Sequence, residues 1–288
     1  MRPYLHLSVP WWAKIIAKIA LSRLPVPPPV WRHLNVFRLG HMRDPGSAIA
    51  TFDVHWRRAG SPAPGFRYLE LGPGESLATA VVAWAYGAAG GVLVDTEDFA
   101  DRDIATYRRL LEALAAKRDS ASLRGIATVE ALLRAVNAEV VTDGATGLSR
   151  LPSGAFDFVF SHAVLEHVRL DEFAIVAREL HRVQARSGVG SHRIDFKDHL
   201  QGSLNSLRIS DRLWEQPWFA SKSGFYTNRM RLSQVVQAFD EAGFAVTVLA
   251  RDQWEQLPLP LSRLGKPFRD LSAADLLTHG ADLILRRR

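Results

Sequence analysis

The sequence predicts an α/β fold: a seven-stranded, mostly parallel sheet with helices on both faces, a helical extension before it and a small cap after strand five. Two observations predict it. Short apolar runs alternate with stretches of helical spacing from residue 66 onward, the pattern of parallel strands joined by crossover helices. The first run, Phe66 to Leu71, enters the turn Gly72-Pro73-Gly74 and then a helix expected over Ser76 to Tyr86, which is how open α/β sheets build a ligand cradle.

Residues 1–61 form the extension. Trp11, Trp12, Ile15, Ile16, Ile19 and Leu24 interleave with Lys14, Lys18 and Arg23, so Trp11 to Leu24 reads as a basic amphipathic helix. Its tryptophans and lysines suit peripheral contact with a membrane, and its apolar stripe equally suits a lid packed on the protein. Pro25 to Pro29 ends the helix as a stiff connector. Trp31, His33, Phe37, His41, Phe52, His55 and Trp56 follow, with helical spacing over Gly46 to Arg58, and each histidine is expected to be an ordinary surface or core residue. Ser61-Pro62-Ala63-Pro64-Gly65 marks the entrance to the main domain, residues 62–288.

Within that domain Gly72 and Gly74 let main chain approach a ligand closely. The ligand is not expected to be a dinucleotide. Leu77 replaces the third glycine of that pattern, and Glu70 places a carboxylate just before the turn, where it repels a pyrophosphate and attracts a cation. Strand two, Gly91 to Asp95, ends in an acid about 20 residues after the turn, where nucleotide-binding sheets hold ribose hydroxyls. Asp95 is the expected ribose ligand, with Glu97 second. Helices over Ile104 to Lys117 and Thr128 to Val136 precede strand three at Glu139 to Asp143. Strand four and its turn occupy Phe156 to Val168, then a helix over Leu170 to Val183, a turn at Ser187 to Gly190 and strand five at Ser191 to His199. A cap of about residues 200–230 carries a helix over Leu204 to Trp218, after which come the helix Leu232 to Ala242 and two last strands, Gly243 to Leu249 and Ala281 to Leu285.

The run Glu70-Leu71-Gly72-Pro73-Gly74 resembles motif I of the class I methyltransferases, whose donor S-adenosylmethionine carries the positive ammonium and sulfonium that Glu70 favours. Strands two, three and four match the family in order, the last through Phe156 to Val168, and the resemblance covers nearly the whole chain. It implies a Rossmann-like sheet ending in an antiparallel hairpin, and a cofactor site of Glu70, Gly72, Pro73, Gly74, Ser76, Asp95, Thr96, Asp143, Gly144, Ser161 and His162, with Asp143 on the adenine side. With Ile194 to His199 and Tyr226 to Arg231 the chain looks like a bacterial group of that family without a settled substrate.

Composition narrows the chemistry. The chain of 288 residues has no cysteine, which excludes thiolate zinc sites and methyl transfer through a cysteine adduct. No run of about 18 uncharged apolar residues predicts a span and no signal peptide is recognisable, so the expected location is the cytoplasm, with peripheral contact at the inner membrane face through residues 11–24 as an alternative. The net charge of +6 is mostly scattered arginine, including Arg286-Arg287-Arg288. The nucleobase and amide methyltransferases place an Asn/Asp-Pro-Pro-aromatic tetrad after strand four, whereas Ser161-His162-Ala163-Val164 stands here, so a nucleic-acid partner is not expected. The expected reaction is O-methylation of a glycan, glycolipid or other small polyhydroxylated acceptor, with N-methylation of a small molecule, or a catalytically silent binding module, as alternatives. An alcohol needs a base as its proton leaves. His199 is the expected base, oriented by Asp198 or Asp195, with His167 near by; Tyr226, Asn228, Arg229 and Arg231 are the expected acceptor contacts. A divalent metal at this edge is conceivable but not favoured.

Overall fold

The computed structural model describes residues 10–21, 23, 44–221 and 224–288, and strand and helix alternate through it as the sequence pattern requires. The expected connector at 25–29, and Leu24, Trp31, His33, Phe37 and His41, lie outside the described residues. The elements that position the site are α1 (Trp11–Leu21), α2 (Pro45–Arg58), β1 (Arg67–Leu71), α3 (Ala78–Ala85), β2 (Gly90–Val94), α4 (Ile104–Ala113), α5 (Val129–Ala135), β3 (Ala138–Val141), α6 (Gly144–Ser149), β4 (Phe156–His162), α7 (Phe173–Val183), β5 (Gln184–Asp195), α8 (Leu232–Glu241), β6 (Phe244–Gln253) and β7 (Thr278–Arg287). The seven strands make one sheet in the order β3-β2-β1-β4-β5-β7-β6. The first five are parallel. β7 runs the other way: the Gln184 side chain donates to Leu285 O, whereas Phe196 N donates to His279 O. The order reverses between β1 and β4, and at such a switch point an open sheet leaves a crevice for ligands.

The chain divides into two compact units: residues 39–195, 232–251 and 281–288 form the sheet unit, and residues 1–38, 196–231 and 252–280 the other. In the sheet unit every residue of β2 is buried, as expected of a strand covered on both faces. β1 pairs Tyr68 with Gly91, and a Cβ on Gly91 would lie 2.2 Å from the Tyr68 ring, so the tyrosine occupies space that only glycine leaves. α2 packs on the same core. Asp44 caps it by accepting from Ser47 N, and fully buried Phe52 meets the rings of Tyr86, Phe158 and Phe160 edge-on at 5.0–5.8 Å. Arg58 makes a paired bond to Asp282 of β7, at 2.7 and 2.6 Å.

Two expectations are corrected in β5. Ser187 to Gly190 is not a turn but lies inside the strand, which starts at Gln184. Between the pairs Phe156↔Gln184 and Phe158↔Val189, β4 advances two residues while β5 advances five, so the glycines serve a bulge. A Cβ on Gly188 would come within 2.8 Å of Phe156 O. The strand also ends at Asp195, before Asp198 and His199.

In the other unit the expected helix over 204–218 is broken into short pieces, Asn205–Arg208, Asp211–Trp214 and Pro217–Ser221. α1 belongs here. Its Ile15 is buried with Leu200, Trp214, Phe219, Phe225 and Tyr226, while Lys14 and Lys18 donate to Leu200 O and Gly224 O. A second apolar cluster joins Leu204 and Leu207 to Leu264, Phe268 and Leu276 of the segment before β7. Trp12 and Ile16 of α1 remain exposed. Among the described residues no helix is long and apolar enough to cross a membrane.

This packing predicts that Ile15→Ala costs about 2–5 kcal/mol, the usual range for truncating a buried isoleucine, while Ile16→Ala stays within about 0.5 kcal/mol. Urea denaturation followed by tryptophan fluorescence measures both, and equal effects would contradict the assigned packing face.

Candidate active site

The site is built from loops that leave the C-terminal ends of β1, β2, β3 and β4. At the first, Gly72 has φ 75° and Gly74 φ 63°, both in the left-handed region that favours glycine. Gly72 N donates to Val94 O at 2.8 Å, and a Cβ on Gly72 would sit 2.4 Å from a Val164 methyl. The turn is therefore clamped between β2 and the loop after β4. Ser76 lies just outside α3, which begins at Ala78 and not at Ser76 as expected, because the Ser76 hydroxyl accepts from Ala78 N. Pro73 is buried beneath the turn.

Asp95 ties the second loop to the first. Its Oδ2 accepts from Gly74 N at 2.9 Å and its Oδ1 from Thr96 N at 2.7 Å, while burial raises its carboxyl above the ordinary range. The third loop joins them through Asp143 N donating to Thr96 O and Gly144 N donating to Asp95 O. Asp143 has φ 77° and pairs its exposed carboxylate with Arg150 at 2.6 Å. The structure thus gathers Gly72, Gly74, Asp95, Thr96, Asp143 and Gly144 into one rim. Exposed Glu97 lies beyond Thr96 in the loop after β2.

Glu70 is the electrostatic feature of this rim. It is buried, its Oε2 has no hydrogen-bond partner, and burial, with the Asp95 charge adding, pushes its pKa up to about 8. A buried carboxylate oxygen without a donor is costly, and a cationic group supplies what it lacks. After β4, Glu166 lies in the turn Leu165–His167 with both oxygens lacking a hydrogen-bond partner, and burial pushes it to about 8 as well. His167 closes that turn at the surface.

The end of β4 holds a group that sequence reasoning missed. Ser161 Oγ lies 2.8 Å from His192 Nδ1, and His162 Nδ1 lies 3.1 Å from His55 Nε2, whose Nδ1 is 2.8 Å from Ser191 Oγ. His55 is completely buried on α2. Only its helical spacing with Phe52 hinted that it faces the sheet; nothing local marked it apart from the other histidines.

Residues 106–190 match a family model described as a methyltransferase domain. They run from α4 into β5, between the cofactor turn and the last strands. The match covers less than a third of the chain, and that stretch is a methyltransferase domain by its likeness. The residues of the rim fit S-adenosylmethionine: the orphaned Glu70 oxygen suits a cation, and the side-chain-free Gly72 and Gly74 admit close approach. No curated protein matches. Among solved structures the chain is similar to the CurJ carbon methyltransferase (12% identity, 78% of this chain and 49% of that one, TM-score 0.41). It is also similar to the Haemonchus contortus phosphoethanolamine N-methyltransferase 2 in complex with S-adenosyl-L-methionine (13%, 83% and 52%, TM-score 0.47). A third is an S-adenosylmethionine-dependent methyltransferase from Mesorhizobium loti (16%, 81% and 97%, TM-score 0.43). The chain spans about half the length of the first two.

The remaining expected site residues fall outside that rim, and several have structural work. Asp198 accepts from Leu200 N, Gln201 N and Asn205 N, so its carboxylate shapes the 198–205 turn and is not available to orient His199, which is exposed. Asp195 is the last residue of β5. Arg231 is buried and donates to Phe196 O, Asp275 O and Thr278 O. Arg229, at φ 61°, donates to Ser206 O and Ile209 O, pairs with Asp211 and stacks on Trp214; burial lowers its pKa. Both guanidinium groups thus clamp main chain, a structural role beside the acceptor contacts expected of them. Asn228 accepts from Met230 N, and the Tyr226 hydroxyl donates to Glu215.

Two predictions follow from the rim. A carboxyl raised to about 8 in the folded state contributes stability present below its unfolded pKa of 4.5 and lost as pH rises through 8. The thermal midpoint of the cofactor-free protein should therefore fall more steeply between pH 5 and 9 than that of Glu70→Gln; parallel curves would contradict the burial of Glu70. Asp95→Ala should bind S-adenosylhomocysteine at least about tenfold more weakly by calorimetry while keeping its circular dichroism, since charge-assisted hydrogen bonds contribute about 1.5–3 kcal/mol each. Unchanged affinity would shift the ribose role to Glu97.

Proposed function

We propose that this methyltransferase acts on a hydroxyl group of a small polyhydroxylated acceptor, a glycan or glycolipid. The observation that carries the reading is the end of β4, where Ser161-His162-Ala163-Val164 puts imidazole at the switch point and no tetrad for an exocyclic amine or amide is present. A hydroxyl must lose its proton as its oxygen is methylated, and an imidazole neutral near pH 7 can take it. His55 and His162 meet these terms, since burial lowers the pKa of each.

S-adenosylmethionine supplies an electrophilic methyl group. The chain's part is to bind and align. Glu70 offers carboxylate to a cation, the Gly72–Gly74 turn lets main chain close on the ligand, and Asp95 offers acceptors to hydroxyls. Holding two reactants in line supplies much of the acceleration in such displacements. Trp12 and Trp218 expose half of their surface in the other unit, and exposed indole faces suit sugar rings. They suit the headgroup region of a membrane equally well, which favours a glycolipid within the class. The filled packing face of α1 assigns it to its own unit first, so membrane contact would fall to Trp12 and Ile16 alone.

The test is transfer of labelled methyl from S-adenosylmethionine to free sugars, polyols and glycolipids. The reading expects label in a base-stable ether on a hydroxylated acceptor. Label on an amine would replace it with N-methylation, and failure to bind S-adenosylmethionine or S-adenosylhomocysteine by calorimetry would leave a silent binding module.

A further inference from the structure

The histidine at the end of β4 does not stand alone, and its partner comes from the N-terminal extension. His55 Nε2 meets His162 Nδ1 at 3.1 Å with the rings nearly perpendicular, at 89° and 5.3 Å between centroids. His55 is fixed from three sides. Its Nδ1 bonds Ser191 Oγ, its ring lies on Phe160 at 5.3 Å, and α2 is pinned to the sheet by Phe52 and by the Arg58–Asp282 pair. With Nδ1 engaged inward, His162 has only Nε2 left to turn outward from the end of the strand, beside the loop in which Val164 touches the cofactor turn.

We propose that His162 Nε2 is the proton acceptor of the reaction and that His55 is its positioning residue. The proposal rests on the O-methylation reading above. In the chain Ser191–His55–His162, His55 Nδ1–H donates to Ser191 Oγ, which leaves His55 Nε2 as acceptor for His162 Nδ1–H and His162 Nε2 with a bare lone pair. The acceptor's O–H bond breaks to His162 Nε2 while its oxygen pair forms the O–CH3 bond. The C–S bond breaks with its pair returning to sulfur, and the imidazolium later passes its proton to water. No other reactant is needed.

The charges around the pair keep it neutral before the reaction. His162 is faced by Arg58 and His55 from α2, Arg193 from β5 and Asp282 from β7; burial acts first, then Arg193 and Arg58 lower its pKa while Asp282 opposes them. His55 is faced by His162, His192 and Arg58, which add to a larger effect of burial. A base held neutral is ready at pH 7, and one faced by two arginines sheds its proton quickly. Asp198, expected to orient His199, is instead committed to its own turn.

The decisive experiment is nitrogen-15 NMR of histidine-labelled full-length protein at pH 7.5, with and without S-adenosylhomocysteine. The expected result is His162 protonated at Nδ1 and bare at Nε2, the less common tautomer of a free histidine side chain. His55→Phe should release that preference, and His55→Gln, whose amide oxygen can accept from Nδ1–H, should restore it. With a hydroxylated acceptor in hand, His162→Gln should lose about 10²-fold or more in kcat at saturating S-adenosylmethionine, and His55→Phe should lower kcat and shift the pH profile. A proton found on His162 Nε2, or a tautomer unchanged in His55→Phe, overturns the proposal even if methyl transfer to hydroxyls is established. Equal loss in His199→Ala with full activity in His162→Gln would return the base to His199. Failure of methyl transfer itself counts against the O-methylation reading and leaves the tautomer result to be judged on its own.

Discussion

The site depends on one close approach. At the point where strand order reverses, the main chain of Gly72 passes Val164 with no room for a Cβ, and the same residue is tied through its amide to Val94. That contact sets the height of the cofactor turn against the end of β4. The neighbouring loops register on it in sequence, Asp95 holding Gly74 N and then receiving Gly144 N on its own carbonyl. A displacement at Gly72 would be passed to these groups, because the loops are hydrogen-bonded to one another.

Around this clamp the molecule tolerates electrostatic cost. Glu70 and Glu166 are buried carboxyls raised to about 8, and His192 is a buried imidazole pushed down to about 3 with Nε2 lacking a partner. A core selected for stability alone would fill such positions with apolar side chains. Their presence at strand ends is consistent with groups whose partners arrive with a ligand, and it makes the cofactor-free protein less stable at high pH than its apolar packing alone would allow.

Much of this was legible because it rests on local chemistry. Glycines at a strand end, a carboxylate before them and an acid at the next strand end each follow from what short segments must do, so Gly72, Gly74, Glu70 and Asp95 read directly. The misreadings share a different cause. Gly188 and Gly190 looked like a turn, but glycine also permits close approach, and only β4 lying alongside reveals which use applies. Arg229 and Arg231 looked like anchors for a ligand, yet carbonyls of residues 20 to 47 positions away take their donors. His55 was hidden for the same reason: its partners are 107 and 136 residues distant. Periodicity shows which face of α2 is inward and says nothing of what waits there.

A crystal structure of the complex with S-adenosylhomocysteine tests the account most directly. The account predicts the ligand's amino-acid end at Glu70 and the Gly72–Gly74 turn, its ribose at Asp95, and its sulfur at the β1/β4 switch point on the side of His162. Density for the ligand elsewhere on the sheet, or Glu70 still without a cationic partner when the ligand is bound, would contradict it.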